Sequence, residues 1–199
     1  MTSEHTNGLM TIERLVALVP QFPCVVVTGP ERSGTWITAE MICSSTDYAN
    51  VDEEAWDNSF EMLWQLLGDR DRIVVHAPHL TYRVHEIDRH CPERVLVVFM
   101  LRAVEDIVAS QRRNHWGSRS EHCPDDSDPK GWGNPASPWY DAASHQLFRD
   151  DIDPEAHLCL NRQVCWHRRQ KHLVSNYAEI EYETLRSHPL WLDPDKRRG

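Results

Sequence analysis

Three short stretches of the chain are apolar almost without interruption, Cys24 to Val27, Arg72 to His76 and Arg94 to Leu101, and Ala178 to Tyr182 reads as a fourth strand that carries Glu179 and Glu181. They are rich in β-branched residues. Continuous runs of this length predict strands buried on both faces, as in a parallel sheet, and the all-apolar third run predicts a central one. Between the runs the period changes to that of a helix. Thr11 to Val19 places Ile12, Leu15, Val16 and Val19 on one stripe, and Pro20 and Pro23 end it. Ser33 to Ile42 is a second helix, with Ser33 or Thr35 available at its start. Asn58 and Glu61 have capping-box spacing for a third, running to Leu67 and closed by Gly68, with Phe60, Leu63, Trp64 and Leu67 inward.

Thr81 to Arg89 reads as a short helix with Val84 and Ile87 inward. A further helix follows Leu101, carrying Val104, Ile107, Val108 and Gln111. Pro154 to His172 reads as a long helix anchored by Leu158, by Val164 or Cys165, and by Leu173, and a short helical turn to Leu185 precedes a Pro-bearing tail. Strands alternating with helices predict parallel β-α units, hence an α/β protein: a three-layer fold over one domain, 1–199, with a mainly parallel sheet. Two stretches stand apart. Asp47 to Asp57 is polar and acidic, and Asp52-Glu53-Glu54 reads as a solvated loop rather than a functional cluster. Residues 117–151 are rich in Gly, Pro, Asp, Ser and Trp, a composition and length that suit a lid, a binding loop or disorder.

The candidate chemistry lies where the first strand meets its helix. Thr28-Gly29-Pro30-Glu31-Arg32-Ser33-Gly34-Thr35-Trp36 is a glycine-bearing turn between strand and helix. Such a turn aims backbone N–H groups inward, and the helix adds the positive end of its dipole, so the pair suits a phosphate. Gly29 and Gly34 have Walker A spacing, but Thr35 stands where that motif has lysine and Trp36 where it has the magnesium-binding hydroxyl. A glycine turn without a ligand remains the alternative.

Arg32-Ser33-Gly34-Thr35 resembles the 5′-phosphosulfate loop of sulfotransferases that use 3′-phosphoadenosine 5′-phosphosulfate (PAPS). Trp36 replaces that family's usual second hydroxyl. Arg102, Asp106 and Ser110, following the third strand, match the spacing of the family's 3′-phosphate motif, with Val104 where the family usually has Pro. Arg and Ser are apt phosphate donors; Asp106 suits a helix start instead. His76-Ala77-Pro78 resembles the strand end that carries the family's general base, with Val74 in place of its lysine. Imidazole is suited to that task near neutral pH, although a histidine that merely holds a loop fits the same position. Tyr182-Glu183-Thr184-Leu185 resembles the segment whose Tyr lies near the adenine, and Lys196-Arg197-Arg198-Gly199 resembles a basic element of the cytosolic members.

The resemblance implies transfer of a sulfuryl group from PAPS to a hydroxyl or amine of a small-molecule acceptor. It implies His76 and Arg32 in catalysis, and Arg32, Ser33, Gly34, Thr35, Trp36, Arg102, Ser110 and Tyr182 around the nucleotide. A P-loop kinase-like protein and a non-catalytic PAP or PAPS binder are the alternatives.

Composition adjusts this picture. A formal net charge of −10 over 199 residues opposes general binding to nucleic acid or anionic membranes, so an anion site must come from clustered arginines and backbone amides. The longest apolar run, Val95 to Leu101, is too short to span a bilayer, and the polar N-terminus carries no secretory pattern. The six scattered cysteines read as reduced thiols of a cytoplasmic protein. Cys159, Cys165, His167 and His172 match no common zinc spacing, and no metal is expected.

Overall fold

The structure, a computed structural model, describes residues 7–56, 59–78, 80, 83–113, 162–168 and 170–191. The predicted lid at 117–151, residues 154–161 of the long helix, and the basic tail lie outside them.

The described residues build a six-stranded, all-parallel sheet: β1 (Gly8–Leu9), β2 (Cys24–Thr28), β3 (Ala49–Val51), β4 (Ile73–His76), β5 (Val95–Leu101) and β6 (Tyr177–Glu181), in the spatial order β1-β6-β5-β2-β4-β3. The four stretches predicted as strands are the four inner strands. β2 pairs on both sides, Cys24 opposite Ile73 of β4 and Val95 of β5, so every one of its residues is buried. β5 is likewise enclosed between β2 and β6.

The helices are α1 (Ile12–Leu18), α2 (Thr35–Ser45), α3 (Phe60–Asp69), α4 (Ile87–His90), α5 (Val104–Arg113) and α6 (residues 162–168). Strand side chains alternate between two apolar layers. Val25, Val27, Val74, Leu96 and Val98 join Ile12 and Leu15 of α1 and Ala39, Met41 and Ile42 of α2. Cys24, Val26, Val75, Val95, Val97 and Phe99 join Leu63 and Leu67 of α3, Ile87 of α4 and Trp166 of α6. The period-2 pleat thus feeds two cores, one on each face, and makes the three layers. Each wholly buried Val, Leu or Ile contributes about 1.5–3 kcal/mol relative to exposure.

Several boundaries differ from the sequence reading for local reasons. α2 begins at Thr35 because Gly34, in the left-handed region at φ 102°, occupies the N-cap position. Thr11 caps α1, accepting from the Arg14 amide. α3 is capped by Ser59 rather than Asn58: the Ser59 hydroxyl accepts from the Met62 amide and donates to Glu61. Gly68 does not close α3, which continues to Asp69 and stops at Arg70. Of the stretch predicted as a helix, 81–89, residues 81 and 82 lie outside the described residues and the rest holds a 3₁₀ turn, Val84–Glu86, leading into the single turn of α4, with Val84 and Ile87 buried as expected.

Leu173 is not an anchor. It is 52 % exposed in a 3₁₀ turn, Gln170–Leu173, and Cys165 and Trp166 carry the packing instead. Trp166 stacks on Phe99 with ring centroids 4.4 Å apart and donates its indole N–H to Glu179 at 2.7 Å. Lys171 also reaches that buried carboxylate, at 3.4 Å, so the charge is paired. Among the described residues no helix is long and apolar enough to cross a membrane.

Candidate functional site

Because every strand is parallel, β2, β4, β5 and β6 deliver their carboxyl ends to one edge of the sheet. β2 is followed by elements on one side of it, β3 and β4, whereas β5 is followed by β6 on the other. The chain reverses its winding there, and open α/β sheets place ligand crevices at such points. Residues 29–34 leave β2, His76 ends β4, Arg102 follows β5 and Tyr182 follows β6.

The loop from Gly29 to Gly34 is tightly wound. Gly29 has φ 145°, Arg32 φ 68° and Gly34 φ 102°. A Cβ at Gly29 would stand 3.0 Å from the Met100 carbonyl oxygen, and one at Gly34 would stand 2.5 Å from the Tyr182 ring. Both positions therefore require glycine, for backbone angle and for space. Arg32 is the exception, a non-glycine residue held in the left-handed region. Its carbonyl accepts from Arg102 at 2.8 Å and its guanidinium donates to the Ser110 hydroxyl at 3.3 Å. The Ser33 amide donates to the Pro30 carbonyl, closing the turn.

Arg102 crosses above the Tyr182 ring, 3.8 Å from its centre, and Tyr182 meets Trp191 edge-on at 5.2 Å. Tyr182 thus supports both the glycine turn and the guanidinium. Gln163 of α6 donates to the Arg102 carbonyl, and Gln111 of α5 donates to the Glu31 carbonyl. The motifs after β2 and β5, more than sixty residues apart in the chain, are tied directly to each other. Asp106 is exposed in the first turn of α5, whose start is closed by backbone bonds to the Ala103 carbonyl. Trp36, second in α2, is 51 % exposed.

The residues fit an anion by two tests. The Ser33 hydroxyl and the Arg102 Nε are buried and have no hydrogen-bond partner among the described residues. Unpartnered buried donors are costly and uncommon; of the three among the described residues, these two belong to the turn and the arginine that grips it, and the third is the Trp56 indole N–H. The first turn of α2, in addition, has no side-chain cap.

His76 completes the site and brings in a residue that the sequence reading set aside. Its Nε2 lies 2.9 Å from the Thr35 hydroxyl. Its Nδ1 lies 2.9 Å from Oδ1 of Asp52 and 3.9 Å from Glu53. The acidic segment is therefore not simply a solvated loop. β3, the short strand before it, pairs with β4 and brings Asp52 beside His76. The Asp52 carboxylate also caps a 3₁₀ turn, Glu53–Ala55, accepting from the Glu53 amide at 2.8 Å. Partial burial works against ionisation of Asp52, but the bonds from His76 and from the Glu53 amide outweigh it and hold the carboxyl below its ordinary value.

Of the residues singled out in the sequence, Arg32, Arg102, Ser110 and Tyr182 are linked by direct contacts, Thr35 and His76 form a second contact, Ser33 and Gly34 lie in the turn, and Trp36 is exposed. Among the described residues no group of three or more His, Cys, Asp or Glu is arranged to hold a metal ion. Comparison with protein-family models and with curated proteins finds no match for the chain.

Proposed function

We propose that the protein is a PAPS-dependent sulfotransferase acting on a hydroxyl or amine of a small molecule, built on a P-loop-like nucleotide site. The observation that carries the reading is the Ser110–Arg32–Arg102 linkage, with Arg32 bonded to both, across a glycine turn that lacks the Walker lysine. Two permanently charged guanidiniums and two hydroxyls, Ser33 and Ser110, then serve one crevice. PAPS supplies the sulfuryl group, whose sulfur–oxygen bond to the 5′-phosphate breaks as the acceptor oxygen or nitrogen bonds to sulfur. The turn amides and Arg32 would stabilise the electron pair left on the 5′-phosphate. Arg102 and Ser110 would hold the 3′-phosphate through charge-assisted bonds. His76 would take the acceptor's proton on Nε2, and Tyr182 would border the nucleotide while keeping Arg102 in place.

One observation favours a second reading, a PAP or PAPS binder without turnover: Thr35 occupies Nε2 of His76. A kinase-like role is supported less, because the chain lacks the usual holders of β,γ-phosphates and magnesium. A thermal-shift comparison of PAP, ATP with magnesium, and buffer separates these classes, since stabilisation follows affinity for the native state. PAP is expected to raise Tm well above the shift given by ATP with magnesium; equal shifts would overturn the sulfotransferase reading. Labelled PAPS with a panel of phenols, alcohols and amines then distinguishes enzyme from binder.

A further inference from the structure

We infer that Asp52 is the positioning residue for His76, fixing which ring nitrogen carries the proton and aiming the other at the reacting group. The inference rests on the proposed role of His76 as base, but its geometry stands apart from any ligand. A carboxylate only accepts hydrogen bonds. With Oδ1 of Asp52 2.9 Å from Nδ1, the neutral ring carries its hydrogen on Nδ1 and presents a lone pair on Nε2. That lone pair points at Thr35, the first residue of α2, 2.9 Å away. Nothing in the segment Asp52-Glu53-Glu54 resembles the family pattern that suggested His76.

Asp52 is itself anchored. The same Oδ1 accepts from the Glu53 amide, so the carboxylate is fixed from behind while it holds the ring. Glu53, at 3.9 Å from Nδ1, is too distant for a hydrogen bond and adds only charge. An unanchored imidazole in water favours the opposite tautomer, with hydrogen on Nε2, which cannot accept a proton from a substrate. Asp52 therefore decides whether His76 is a competent base.

The test reads the tautomer directly. Ring-nitrogen NMR of the whole, ligand-free chain is recorded at alkaline pH, where imidazoles are neutral. The His76 signals are identified by their loss in His76→Gln, which is needed because the sequence has 12 histidines. The wild type is expected to show hydrogen on Nδ1. Asp52→Ser keeps a residue type that caps the 3₁₀ turn but is too short to reach the ring, and it is expected to move the hydrogen to Nε2. The double variant Asp52→Ser/Glu53→Gln is expected to behave the same way. A wild-type ring with hydrogen on Nε2, or an unchanged tautomer in both variants, would overturn the inference. Retention in the single variant and loss in the double would overturn it too, by assigning the role to Glu53.

Where an acceptor is turned over, Asp52→Ser should lower kcat by about 10²–10⁴-fold. A kcat unchanged in a variant whose tautomer has switched would also overturn the inference. A wild type that turns over no acceptor counts against the enzyme reading, while the nitrogen spectrum still decides the role of Asp52.

Discussion

Replacing Gly34 by alanine tests whether the glycine turn and Tyr182 form one mechanical unit. Two separate penalties apply. The backbone at Gly34 has φ 102°, where an alanine is strained by about 1–3 kcal/mol. The new methyl would also lie 2.5 Å and 2.9 Å from two carbons of the Tyr182 ring, against an ordinary contact of about 3.5–4.0 Å. The ring has little room to withdraw, because Arg102 lies over it and Trp191 meets its edge. Overpacking of this kind adds about 1–3 kcal/mol, so the whole substitution should destabilise by about 2–6 kcal/mol.

Urea unfolding of Gly34→Ala, Tyr182→Ala and the double variant separates the parts. Removing the ring abolishes the clash but leaves the backbone strain. The double variant should therefore be more stable than the sum of the single losses by about 1–3 kcal/mol, with m unchanged. A Gly34→Ala loss within the ~0.5 kcal/mol typical of ordinary surface substitutions, or a cycle with no coupling, would refute the reasoning.

Arg102→Ala should weaken PAP binding by about 1.5–3 kcal/mol and Ser110→Ala by about 0.5–1.5 kcal/mol in calorimetry, and unchanged affinity in a folded Arg102→Ala would refute the 3′-phosphate assignment. Asp52 has a depressed folded-state pKa, so its contribution to stability is present above its unfolded value, near 3.8, and is lost as pH falls through the folded one. The Tm gap between wild type and Asp52→Ser should accordingly close on acidification, and a gap that persists through the acid limb would count against it. Burial pushes the thiols of Cys24 and Cys43 up to about 11, so both should resist alkylation at pH ~8 until the protein is unfolded, followed site by site by mass spectrometry.

The two central strands were legible because burial on both faces leaves no polar position to confuse the pattern: Cys24 to Val27 and Val95 to Leu101 admit no helical stripe. The edge strands were not. β1 has two residues and β3 three, and Ala49-Asn50-Val51 carries no β signal of its own; it is a strand because β4 lies beside it. The same non-local cause hid Asp52. Twenty-four residues separate it from His76, and only the pairing of β3 with β4 brings them together. Ser59 was masked by its neighbour, since Asn58 and Ser59 are both good capping types and only the bond to Met62 chooses between them. The glycine turn was readable because Gly29, Arg32 and Gly34 lie close together in sequence; its contact with Tyr182 was not, because β6 is brought in by the sheet.

Thr35 has a single hydroxyl hydrogen, and in the sulfotransferase reading a bound anion would compete for it with Nε2 of His76. While Asp52 keeps the Nδ1 hydrogen of His76, the Thr35 hydrogen is drawn to Nε2, and the oxygen turns only lone pairs toward the turn. An anion arriving at the turn needs that hydrogen. Once the hydroxyl rotates to meet it, Nε2 is uncovered. Arrival of the first ligand would thus arm the histidine for the second, and an acceptor that came first would find the base already engaged. In the sulfotransferase reading this makes substrate addition compulsory in order, nucleotide before acceptor. Initial-rate patterns and PAP product inhibition would reveal that order; random addition would show that the hydroxyl exerts no such control.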